Sequence, residues 1–84
     1  MRAKIIKFEE QPSKHGGIFY YLFMADGQGR SYRTCLYPAY RNFKRWEPVL
    51  EAFRAGKEIW LDGLIERSKG FVNADSPFYW HRVA

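Results

Sequence analysis

Three features of this 84-residue sequence predict a small all-β barrel carrying one helix. Apolar and polar residues alternate with period two in several stretches, as strands with one face on a core require. Turn-forming glycines and prolines fall between those stretches, at 11–17, 26–29, 37–38, 56 and 68–70. One stretch alone, 48–55, changes to helical spacing. The predicted order is β-β-β-α-β-β in a single domain over 1–84, with 76–84 as a C-terminal aromatic tail.

The first strand is expected over 3–10, Ile6 and Phe8 facing inward and Lys7 and Glu9 outward. Ile5 breaks the alternation, which suits a strand that bends or is covered on both sides at one end. Residues 11–17 form a loop, and the second strand runs over 18–25. It is apolar on both faces: Ile18, Tyr20, Leu22 and Met24 point one way, Phe19, Tyr21 and Phe23 the other. The first set is expected to fill the interior. A strand in a small sheet normally has one wet face, so the second set needs a reason. Either another layer covers it, or it is a stacking platform for a planar ligand.

Asp26-Gly27-Gln28-Gly29 is a hairpin signal, because its glycines tolerate positive φ. It leads into a third strand over 30–36, where Tyr32, Thr34 and Leu36 alternate with Arg33, Cys35 and Tyr37. Tyr37-Pro38 ends that strand. Pro48 suits the first helical position, since its missing N–H does no harm there. The helix then runs to about Ala55, with Val49, Leu50 and Phe53 as its apolar stripe. Trp46 lies just ahead as a staple over Leu50, and a helical turn before Pro48 would be kinked. Gly56 is placed to cap the C-terminus. A fourth strand is expected over 57–67, with Ile59, Leu61, Gly63 and Ile65 on one side. Trp60, Asp62, Leu64 and Glu66 take the other, and Gly63 marks a bulge or a barrel bend. The fifth strand is 71–75, with Val72 and Ala74 inward.

Composition narrows the function. The formal net charge is +5, and it is unevenly spread. Residues 1–46 hold nine Lys/Arg against three carboxylates, a formal +6, whereas residues 47–84 hold five against six, a formal −1. Aromatic residues make up 19% of the chain, more than so small a core can absorb, so several rings lie near the surface. Basic charge interleaved with exposed rings is the footprint of a nucleic-acid surface. No apolar run approaches the ~20 residues of a membrane span. The single Cys35 suits a reducing compartment, and a cytoplasmic protein is expected.

Five strands with a helix between the third and fourth is the order of the five-stranded Greek-key barrel, the OB-fold. Particular residues carry a resemblance to that superfamily. They are Leu36-Tyr37-Pro38-Ala39-Tyr40, Gly56-Lys57-Glu58-Ile59-Trp60-Leu61-Asp62-Gly63 and Gly70-Phe71-Val72-Asn73-Ala74. An aromatic-Pro pair closing strand three, a Gly-Lys opening strand four and a mid-strand Gly are similar to OB modules of bacterial replicative polymerase α subunits and of anticodon-binding domains. The likeness covers roughly residues 17–75. It departs in the stretch 38–56, which is longer than the pattern, and in lacking the long acidic tail of bacterial single-stranded DNA-binding proteins. A phage or mobile-element version, stripped down, is what it resembles.

An enzyme is hard to build here. His15 and His81 are the only histidines, one cysteine offers no zinc spacing, and Gly27-Gln28-Gly29 lacks the lysine of a phosphate loop. No metal or cofactor is expected. The expected function is single-stranded nucleic-acid binding, DNA ahead of RNA, with low sequence specificity. Phe19, Tyr21, Phe23, Arg33 and Tyr37 would form the stacking face on strands two and three, joined by Trp60 on strand four. Lys14, Arg30, Arg41, Lys44 and Arg45 would form a basic rim for phosphates. The alternative is a protein-interaction module whose aromatic face packs on a second copy, on another partner, or under the chain's own Phe78-Tyr79-Trp80.

Overall fold

Turn chemistry sets the first three strands. The computed structural model of the chain describes residues 1–41, 43–73 and 78–83. In it β1 (Ala3–Pro12), β2 (Ile18–Ala25) and β3 (Ser31–Leu36) form an antiparallel meander. At the β2–β3 turn the amides of Gln28 and Arg30 each donate to Asp26 Oδ1 at 2.9 Å, and Gly29 takes φ 81°. The Asp26 carboxylate is held below its ordinary pKa, chiefly by the Arg30 amide and against the pull of desolvation.

After α1 (Phe43–Arg54) come β4 (Glu58–Asp62), β5 (Glu66–Ser68), β6 (Phe71–Val72) and β7 (Tyr79–Val83). All seven strands join one curled, half-barrel sheet in the order β5-β6-β3-β2-β1-β4-β7. The return of β4 to lie beside β1, outside the β1–β2–β3 meander, is a Greek-key connection. The chain is thus mostly β with one helix, as its periodicity predicts, but with seven strands where five were expected.

Two local features account for the extra strands. Gly63 adopts φ 79°, a left-handed conformation that ends β4 and reverses the inward phase. Leu64 is therefore buried and Ile65 is 57% exposed, the opposite of simple alternation. The expected strand 57–67 becomes β4 and β5, and Asp62 and Glu66 no longer share a face. Secondly, residues expected as an aromatic tail form β7, antiparallel to β4 with Leu61 opposite Trp80. Of the fifth expected strand, Phe71 and Val72 form β6, and the expected inward Ala74 lies outside the described residues.

In β1 the register slips between Ile5 and Lys7, so Ile6 is an extra, exposed residue. This bulge lets Ile5 and Phe8 both face inward, opposite Met24 and Leu22. The expected inward Ile6 is corrected accordingly. Within β2, Leu22 and Met24 are fully buried and Tyr20 packs against the core, while Ile18 at the strand's start stays 40% exposed.

The helix begins five residues earlier than expected, placing Pro48 inside it. There Pro48 forgoes the bond to the Lys44 carbonyl. The compensation is tertiary. Trp46 is buried and stacks on Phe78, ring centroids 4.4 Å apart, and Val49 and Leu50 are buried with it. Trp46 is thus a core residue within the helix rather than a staple ahead of it. At the other end Gly56 (φ 86°) donates to the Phe53 carbonyl and Lys57 to that of Ala52, a Schellman cap. Among the described residues no helix is long and apolar enough to cross a membrane.

Candidate nucleic-acid interface

With Leu22, Met24, Thr34 and Leu36 buried on the inner face, the odd-numbered residues of β2 and β3 necessarily lie on the outer one. Phe19 meets Tyr21 edge-on with centroids 5.1 Å apart, and Tyr21 meets Phe23 at 6.1 Å. Across the sheet Phe19 stacks on Tyr37 at 5.6 Å, and Tyr37 continues to Tyr40 at 5.2 Å. Five rings thus run in an unbroken ladder from Tyr40 to Phe23. Phe19, Tyr21 and Phe23 are half-buried by their neighbours, and Tyr37 and Tyr40 are exposed.

The chain's own C-terminal rings do not cover this ladder. Phe78 is buried against Trp46, Trp80 packs on the core, and β7 lies three strands from β2. The alternative of cover by the chain's own Phe78-Tyr79-Trp80 is thereby set aside. It fails because those residues complete the far edge of the sheet.

Charge around the ladder is uneven. Arg33 stands opposite Phe23 in the β2–β3 register. Lys14 lies in the loop beside Phe19, Arg30 in the turn at the Phe23 end, and Arg41 directly after Tyr40. Among the described residues Lys14, Arg33 and Arg41 are in no ion pair, whereas Arg2, Lys4 and Lys7 are held by Asp62, Glu58 and Glu9 at 3.5–3.6 Å. The basic half of the sequence is therefore partly neutralised over β1 and β4, and its unspent charge borders the ladder.

Lys44 and Arg45 belong to α1, which packs on the inner face; Arg45 lies over the Phe78 ring at 4.4 Å. Arg45 is thus directed to the helix side of the sheet, away from the rim expected of it. Trp60 lies two strands from β2, under the Arg2 guanidinium at 4.8 Å, with its indole N–H donating to Glu58. It belongs to a charged cluster in which His81 and Arg2 also pair with Asp62. The structure does not bring it to the five rings.

Two residues of the face escaped the sequence reading. Tyr40 follows the strand-ending Pro38 and joins the ladder only because a turn donates its amide to the Tyr37 carbonyl. Glu9 sits opposite Tyr21, held by Lys7 and by the Gln11 amide. Its pairing follows from the β1–β2 loop length, a signal present in the sequence. Lys7 in turn lies 5.0 Å from the Phe23 ring centre.

At the Tyr37 end the outer face meets a cleft of about 260 Å³ lined by Thr34, Tyr37, Tyr40, Trp46, Arg67 and Phe71, among others. Burial pushes the Cys35 thiol upward in pKa, and desolvation followed by the neighbouring Cys35 does the same to the Tyr37 hydroxyl. Both groups are protonated donors at neutral pH. Comparison with family models, curated proteins and solved structures finds no match to this chain.

Proposed function

We propose that this chain is an OB-type barrel that binds single-stranded nucleic acid, DNA ahead of RNA, along β2 and β3 without catalysis. The observation that carries the reading is the ladder Tyr40–Tyr37–Phe19–Tyr21–Phe23 bordered by Lys14, Arg33 and Arg41, which among the described residues are in no ion pair. Rings spaced along an open strand stack on successive bases whatever their identity, at roughly 1–3 kcal/mol per base. The flanking cations neutralise phosphates. The Greek-key return of β4 and the helix between β3 and β4 support the OB assignment. A reducing, cytoplasmic setting accords with the lone thiol.

One observation favours a second reading. Glu9 places a carboxylate beside Tyr21, which disfavours phosphate there and suits a protein partner or second copy seated on the rings. Titrating a labelled oligothymidine with the protein at low and moderate salt separates the two. Binding at low salt that weakens steeply with added salt is expected; no binding even at low salt would remove the nucleic-acid reading. Light scattering addresses the other, which requires a mass that rises with concentration when the partner is a second copy.

A further inference from the structure

The cleft beside Tyr37 has features that a stacking ladder does not need. At about 260 Å³ it is below the roughly 300–1,000 Å³ of pockets for drug-sized ligands, a space suited to one planar ring system. Tyr37 and Tyr40 belong to both the ladder and the cleft, so a strand on the rings passes its entrance. Thr34 lies at the bottom, 1% exposed, with a hydroxyl that has no hydrogen-bond partner. Leaving such a buried group unsatisfied is destabilising. Arg67, from β5, also lines the cleft and is exposed; among the described residues no carboxylate pairs with it.

We propose that this cleft takes one base of the bound strand, turned off the ladder between Tyr37 and Phe71, and reads its polar edge. The inference rests on the single-strand reading above and adds base selectivity at one position. Within the cleft lining, the Arg67 guanidinium presents an exposed fork of donors. It therefore selects an edge rich in acceptors. A planar guanidinium is matched in bidentate fashion by O6 and N7 of guanine. A guanine in the cleft is the expected occupant, and the remaining bases of the strand stay on the unselective rings.

The test compares two labelled oligomers at low salt: oligothymidine, and the same length with one central dG. A single dG cannot form a quadruplex, and a strand that slides on the ladder can bring it to the cleft. The wild-type protein should bind the dG oligomer more tightly by on the order of tenfold. Arg67→Lys keeps the charge but loses the fork, so the ratio of the two affinities should fall to about one. Equal affinities in the wild type, with both oligomers bound, would overturn the cleft proposal and leave the ladder standing. An unchanged ratio in Arg67→Lys would overturn it too. Failure of both oligomers to bind would remove the single-strand reading and this inference with it.

Discussion

Glu9 limits where a phosphate chain can run. Its carboxylate stands opposite Tyr21 of the ring ladder and holds Lys7 at 3.5 Å, so β1 offers little net positive charge. A strand bound to this protein would run over β2 and β3 and avoid β1. Glu9→Gln should therefore tighten oligothymidine binding, by about 0.2–1 kcal/mol, as suits one exposed charge. Unchanged or weaker binding would argue for a protein occupant. Thr34→Val removes a buried hydroxyl that donates to nothing, and should raise stability by about 1 kcal/mol in a denaturant melt. A loss of stability would mean the hydroxyl has a partner after all. Asp26 makes the fold pH-dependent. Its folded pKa lies below the unfolded value of about 4, so its contribution is complete above that pH and is lost as pH falls through the lowered value. Wild type should thus exceed Asp26→Asn in melting temperature at pH 7, and the gap should close as pH falls through that lowered value. A gap that ignores pH would leave the turn held by geometry alone.

At the scale of elements, β2 was legible because glycines bound its start and strict alternation runs its length. Its neighbour β1 was not. The doublet Ile5-Ile6 does not reveal which isoleucine is extra, and only pairing with Met24 and Phe23 settles it. The helix start was hidden for a different reason. Proline's local cost argues for a start at Pro48, but Trp46 finds its partner in Phe78, thirty-two residues away, beyond the reach of local pattern. Gly63 reads in the sequence as a bulge or bend within one strand, yet its φ of 79° ends the strand outright and exchanges the roles of Leu64 and Ile65. Gly56 shows how far turn chemistry does carry. Its left-handed φ and the paired bonds from Gly56 and Lys57 form the cap its position implies. A Cβ there would meet nothing within 4 Å, so Gly56→Ala should cost only the backbone strain, roughly 1–2 kcal/mol. A neutral result would show that the helix end relaxes without it.

Across the whole molecule, five contacting rings and three cations that are in no ion pair among the described residues share the β2–β3 side. The five stacking residues named from β2, β3 and the start of the following loop (Phe19, Tyr21, Phe23, Arg33 and Tyr37) do share the outer face, because period two and a hairpin between β2 and β3 leave no other arrangement. Arg45 and Trp60 do not join them, since where α1 and β4 dock depends on long-range packing. The three cations bordering the rings set an expected salt response. With Lys14, Arg33 and Arg41 each on a phosphate, log affinity should fall with log salt at a slope of about −2. The central claim is that the outer rings of β2 hold the strand, and its most direct test is the affinity of Tyr21→Ala and Phe23→Ala for labelled oligothymidine at low salt. Both side chains lie outside the core, so each variant should melt as a folded protein and bind more weakly than wild type by about 1–3 kcal/mol. Wild-type affinity in both folded variants would contradict the claim and place the strand elsewhere on the molecule.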